Sequence, residues 1–200
     1  MRNFEIAHGD IYRLKVPFER IYTSVFLIEV PGGPFLVDCA TTDADVDTCI
    51  LPALQGLGYA LTDIKKLVLT HTHSDHAGGL ARILEHAPRI EVVTDACRLS
   101  DGVCTYPLPG HTADFLGVFD ARSRTLISGD GLQGAGVDKY RCSVPYVRAY
   151  LESLEKIKKD KGIENLLFSH AYEPWLKDHV LGRRAVEECL RECKKYVKEA

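Results

Sequence analysis

A recurrence constrains this chain more than any other feature. Short apolar runs end, again and again, on a histidine or an aspartate. Phe35-Leu36-Val37 ends at Asp38, and Leu67-Val68-Leu69 ends at Thr70-His71-Thr72-His73-Ser74-Asp75-His76. Residues 103–108 end at Pro109-Gly110-His111, Thr125-Leu126-Ile127-Ser128 at Gly129-Asp130, and Asn165-Leu166-Leu167-Phe168-Ser169 at His170. Short apolar and β-branched runs bounded by turn residues read as buried strands. Polar groups collected just past strand ends are where a rigid sheet carries chemistry. The run from His71 to His76 puts three histidines and one aspartate into six residues. Imidazole nitrogen and carboxylate oxygen are the donors that zinc, iron and manganese accept. So many of them together are costly to bury unless something positive neutralises them.

The rest of the chain supplies elements for two sheets with helices outside them. Strands are predicted over residues 4–16, 21–30, 35–38, 64–69, 90–93, 103–108, 115–119, 125–128 and 165–169. Helices are predicted over residues 43–57, 79–86, from Ser143 and Pro145 to about Lys159, and over 178–199. Strands come first in each half and then alternate with helices, a coarse two-fold recurrence that suggests two sheets packed face to face. Two hundred residues are enough for one large domain, expected to span residues 1–200.

Composition excludes some function classes. A net charge of −3 offers no electrostatic case for nucleic acid or an anionic membrane. Lys156, Lys158, Lys159 and Lys161 are interleaved with Glu152, Glu155 and Asp160, which reads as a solvated helix face. Met1-Arg2-Asn3-Phe4-Glu5 lacks the apolar character of a secretory leader, and Val25-Phe26-Leu27-Ile28 is too short to span a bilayer. Seven cysteines without paired Cys-x-x-Cys spacing fit reduced thiols and a cytoplasmic setting. Cys189 and Cys193 are expected to pack against neighbours on their helix.

On the His-x-His-x-Asp-His box, the Gly-His-Thr histidine, the Gly-Asp aspartate and the Ser-His histidine, in that order, the chain resembles metallo-β-lactamase-fold hydrolases. The resemblance spans nearly the whole chain. It implies an α+β fold, a four-layer αββα sandwich. It also implies a dinuclear centre: His71, His73 and His111 on one metal ion, Asp75, His76 and His170 on the other, and Asp130 between them. Two divalent ions are implied, zinc first, with iron or manganese as alternatives. A bridging hydroxide would attack an activated carbonyl, with Asp75 orienting it or accepting its proton. Asp38 resembles the family's acid that supports the ligands from behind.

The fold hosts many reactions, so departures from each subfamily narrow the choice. His73 stands where flavodiiron oxygen reductases have Glu. Asp130 is generally missing from true β-lactamases, and Gly131-Leu132-Gln133-Gly134 lacks the Tyr of quorum-signal lactonases. Nucleases of the fold usually add domains or a basic arm. Glyoxalase II-type thioesterases share the core motifs, although the chain is expected to lack their C-terminal glyoxalase domain. Lys139 matches the spacing of their glutathione-contacting Lys after Asp130. Tyr140 is adjacent, while Arg141 stands at the family's Tyr. Lys139 reads equally as a surface residue on an entrance loop. Tyr140, Tyr146 and Tyr172 are candidates to protonate a leaving group.

The resulting expectation is a metal-dependent hydrolase of a small ester, thioester or lactone, with a small-molecule substrate and no nucleic-acid or membrane partner. The first alternative is a mononuclear iron enzyme resembling persulfide dioxygenases, using His71, His111 and Asp130. The second is a non-catalytic binding protein that keeps the fold.

Overall fold

The computed structural model describes residues 3–132, 144–171 and 177–199. These fall into two compact units, Met1–Thr94 and Asp95–Ala200, each built on one mixed sheet of six strands among the described residues.

The first unit carries β1 (Glu5–His8), β2 (Ile11–Phe18), β3 (Ile21–Ile28), β4 (Phe35–Val37), β5 (Lys66–Val68) and β6 (Glu91–Val93), hydrogen-bonded in that order. The strand expected over residues 4–16 is two strands. Gly9 and Asp10 turn the chain between His8 and Ile11, which face each other in the ladder. β4, β5 and β6 run parallel to one another, while β4 is antiparallel to β3, so the segments that follow β4 and β5 leave the sheet at the same edge.

Alternation along the strands gives this sheet two buried faces. Leu14, Val16, Val25, Leu27, Leu36 and Leu67 pack with Val46, Ile50, Leu54 and Ile83 from the helices. Ile11, Phe26, Ile28, Val37 and Val68, on the other face, are fully buried as well. Each such apolar side chain contributes about 1.5–3 kcal/mol when removed from water.

The helix expected over residues 43–57 forms as three consecutive pieces, α1 (Asp43–Asp45), a π turn (Val46–Ile50) and α2 (Leu51–Gly56). Thr42 and Asp45 form a reciprocal cap at its start. The π turn has a covalent cause in Pro52, which lacks an N–H and crowds the preceding turn. The ladder widens ahead of it, and Leu51 N–H reaches Val46 O. Two more helices follow β5: a single turn, α3 (Ser74–Ala77), that lies inside the histidine box, and α4 (Leu80–His86).

The second unit carries β7 (Arg98–Ser100), β8 (Val103–Pro107), β9 (Leu116–Asp120), β10 (Thr125–Ile127), β11 (Asn165–Leu167) and β12 (His179–Leu181), with α5 (Val147–Lys159) and α6 (Arg183–Glu199). Its sheet order is β12-β11-β10-β9-β8-β7, with β10 and β11 parallel. Tyr150, Leu154 and Ile157 of α5 and Val186, Cys189, Leu190 and Cys193 of α6 close one face with Leu126 and Leu166. Cys189 and Cys193 pack in this core as expected.

One expectation needs correcting here. Residues 178–199 are not all helix. His179–Leu181 pairs antiparallel with β11, and the helix begins only at Arg183. Gly182, at φ +89°, makes the break in a conformation that other residues rarely adopt. Arg183 then reaches back to the C-terminal end of α5, donating to the carbonyls of Asp160 at 2.9 Å and Ile163 at 3.0 Å. A cation there complements the helix dipole. Among the described residues no helix is long and apolar enough to cross a membrane.

Candidate metal centre

In the first unit, the segments leaving β4 and β5 carry the predicted residues. Val68 O accepts from Asp38 N at 2.9 Å, tying the two strand ends together. Asp38 and Ala40 then turn at φ +64° and +61°, left-handed values that non-glycine residues hold only when their surroundings compel it. The compelling contacts are with α3. His76 O accepts from Cys39 N at 2.8 Å, and Ala40 O accepts from Gly78 N at 3.0 Å. A Cβ on Gly78 would lie 1.8 Å from Thr41 O, and one on Gly79 would lie 2.3 Å from Cys39 O. The Gly78-Gly79 pair is what lets the loop after β4 close onto the box.

That closure puts Asp38, fully buried, against His76 and Thr70. Its Oδ2 accepts from His76 Nδ1 at 2.7 Å, and its Oδ1 accepts from Thr70 N at 2.8 Å. The His71 ring lies between two others, its centroid 4.5 Å from that of His73 and 4.3 Å from that of His76. His76 Nε2 faces Asp75 Oδ2 at 3.3 Å. Cys39, beside Asp38, is outside the donor set. Burial, reinforced by the charge of Asp38, pushes its thiol up to about 12, so it stays protonated at neutral pH.

The second unit assembles the other three. His111 follows β8 on a loop gripped by α5: Pro107 O accepts from Lys156 Nζ, and Pro109 O accepts from Ser153 Oγ, both at 2.9 Å. Asp130 sits in the helical turn Gly129–Gly131 after β10, and His170 follows β11. Asp130 divides its oxygens. Oδ2 lies 3.8 Å from His111 Nε2, and Oδ1 lies 3.3 Å from His170 Nε2.

These arrangements fit a divalent cation on their donor chemistry. With Nδ1–H given to Asp38, neutral His76 presents an Nε2 lone pair to the Asp75 carboxylate. Acceptor facing acceptor is repulsive unless a proton or a cation lies between them. Asp130 and His170 pose the same question. Nitrogen and carboxylate donors without thiolate match zinc, iron or manganese. A buried carboxylate behind a histidine is the support that metal-binding imidazoles generally have.

Each predicted ligand is therefore placed beside others of its own unit. Lys139, Tyr140 and Tyr172 lie outside the described residues. Tyr146, half exposed, precedes α5 and donates its backbone N–H to Gly110 O at 3.2 Å, next to His111. Sequence reasoning passed over Thr70, whose only signal was its place ahead of the box.

Comparison with known proteins bears on the fold. The family model described as the metallo-beta-lactamase superfamily matches residues 19–93. The solved metallo-β-lactamase FIM-1 of Pseudomonas aeruginosa, in its mono-zinc form, superposes with a TM-score of 0.75, covering 98% of this chain and 96% of that one at 15% identity. The chain has the metallo-β-lactamase fold.

In sequence it is similar to proteins of different names. The beta-lactamase-like protein 2 homolog of Caenorhabditis elegans is 28% identical over 164 residues, 71% of this chain and 54% of that protein. A hydroxyacylglutathione hydrolase of Pseudomonas savastanoi pv. phaseolicola is 30% identical over 146 residues, 58% of this chain and 54% of that one. This metallo-β-lactamase-fold chain spans about half the length of the curated relatives it matches. Rubredoxin oxygen:oxidoreductase of Desulfovibrio gigas superposes with a TM-score of 0.74 at 14% identity, covering 98% of this chain and 62% of that one. Lactamase and oxidoreductase alike carry this fold, so the reaction must be argued from the side chains.

Proposed function

We propose that this chain is a metal-dependent hydrolase that cleaves a small ester, thioester or lactone at a centre of two divalent cations, zinc being the expected ion. His71, His73 and His111 would hold one ion, Asp75, His76 and His170 the other, with Asp130 shared between them. The observation that carries this reading is the division of Asp130, one oxygen toward His111 and the other toward His170. A carboxylate that belongs to a single cation has no need to face two separate histidines.

Two cations held in this way supply Lewis acidity and a water that is deprotonated near neutral pH. The chain's own groups do the rest. Asp75, less deeply buried than Asp38 or Asp130, is the carboxylate available to take the attacking water's proton. Asp38 is withdrawn from that role by its bonds to His76 and Thr70, and it fixes orientation instead. The names of the hydroxyacylglutathione hydrolases among its relatives support a thioester. The substrate is a small molecule in this reading.

The test is a panel of acyl-glutathione thioesters, aryl esters and lactones, run on zinc-loaded protein beside Asp130→Ala. At least one class should turn over. The variant should lose about 100-fold or more in rate together with half of its metal, a loss on the scale of removing a group that stabilises developing charge. Full activity in the variant contradicts the dinuclear reading. Inertness toward every class contradicts the hydrolase. One iron per chain, with oxygen consumed against a persulfide, would favour the mononuclear alternative.

A further inference from the structure

We propose that Thr70 is a positioning residue: its hydroxyl carries the hold of Asp38 on to His71, so that one buried carboxylate orients an imidazole in each of the two proposed cation sites. The inference rests on the metal-site reading above and deepens it.

The geometry lies within the first unit. Thr70 Oγ1 is 3.0 Å from Asp38 Oδ1, 2.9 Å from Asp38 Oδ2 and 3.0 Å from His71 Nδ1. Thr70 and Asp38 are both out of contact with solvent. A hydroxyl has one proton to give and lone pairs with which to accept. Asp38 already accepts from Thr70 N and His76 Nδ1, so the hydroxyl proton goes to Asp38 as a third donor. What Thr70 then offers His71 is a lone pair, and His71 Nδ1 must bring the proton. The chain of donors runs from His71 Nδ1–H to Thr70 Oγ1–H to Asp38.

Two consequences follow. His71 and His76 are held in the same tautomer, each with its lone pair on Nε2, one directly and one through Thr70. And the two imidazoles belong to different proposed cation sites, so Asp38 supports both from a single buried point. A threonine present only to fill space would make neither bond, and valine would replace it with almost the same shape.

The experiment compares wild type, Thr70→Val and Thr70→Ser. Zinc affinity is measured by chelator competition after metal removal, and imidazole tautomers are measured by 15N NMR of the same proteins. In Thr70→Val one of two binding events should weaken by about 10–100-fold while the other changes little, the usual effect of losing a group that orients a ligand. Thr70→Ser should restore it. In wild type, His71 should carry its proton on Nδ1. Wild-type affinity at both sites in Thr70→Val overturns the proposal, as does failure of serine to rescue, or a wild-type His71 protonated on Nε2. Should Thr70→Val fail to fold, the wild-type tautomer decides alone. A wild type that binds zinc but hydrolyses nothing overturns the hydrolase while leaving this test standing. One that binds no metal overturns both readings.

Discussion

Asp38→Ala should destabilise the metal-free protein by about 3–5 kcal/mol, the cost of removing one partner from a buried charged cluster. Three donors converge on this carboxylate: Thr70 N–H at 2.8 Å, Thr70 O–H, and His76 Nδ1–H at 2.7 Å. Alanine leaves all three without their acceptor in a place water does not reach, and an unmet buried polar group carries its full desolvation cost. Alanine also takes the φ of +64° less readily than aspartate does. Asp38→Asn separates the contributions. Asparagine tolerates the backbone and keeps the shape, but it loses the charge and exchanges one acceptor oxygen for an NH2 donor, and it should fall between wild type and alanine. Urea denaturation measures both variants. A loss below about 1 kcal/mol for alanine would mean that the cluster is ornamental.

Gly78→Ala should be comparably severe, for a reason that is purely steric. The added carbon would sit 1.8 Å from Thr41 O and 2.5 Å from Ser74 O, both of them backbone atoms that cannot swing aside. Relief requires the loop after β4 to separate from α3, stretching the bonds from Cys39 N to His76 O and from Gly78 N to Ala40 O. Overpacking of this kind costs about 1–3 kcal/mol or more. Because the same loop delivers Asp38 to His76, metal affinity should fall with stability. Gly56→Ala is the control. Its new carbon meets only Asn3 Oδ1 at 3.8 Å, and an alanine near a helix end should be neutral or slightly stabilising. Equal behaviour of the two alanine variants, measured by thermal unfolding and zinc content, would contradict the steric account.

Much of this was legible in one sequence because the donors sit at strand ends. A strand announces itself through a short apolar run, and the residue that follows it is exposed to whatever the sheet edge gathers. Asp38, the His71–His76 box, His111, Asp130 and His170 were all read in this way.

What escaped has physical causes. Strand β12 reads in the sequence as the start of a helix because Asp178 and His179 open a highly charged stretch that runs to Glu199. Its pairing partner, β11, is twelve residues upstream and invisible to local pattern. Strand β7 is three residues long and mostly polar. The π turn ahead of Pro52 hides inside a normal helical periodicity. The left-handed turns at Asp38 and Ala40 carry no glycine to mark them. Thr70 is tied to Asp38, 32 residues away in the chain, by a contact that no local pattern shows. Its role belongs to tertiary structure alone.

The central claim is that the histidines and aspartates of this chain hold two divalent metal ions. Elemental analysis of the purified protein, before and after reconstitution with zinc, tests it most directly. The account predicts two equivalents per chain, falling to about one in Asp130→Ala. A chain that remains metal-free after reconstitution, with its fold intact, would contradict the ligand assignment at its root.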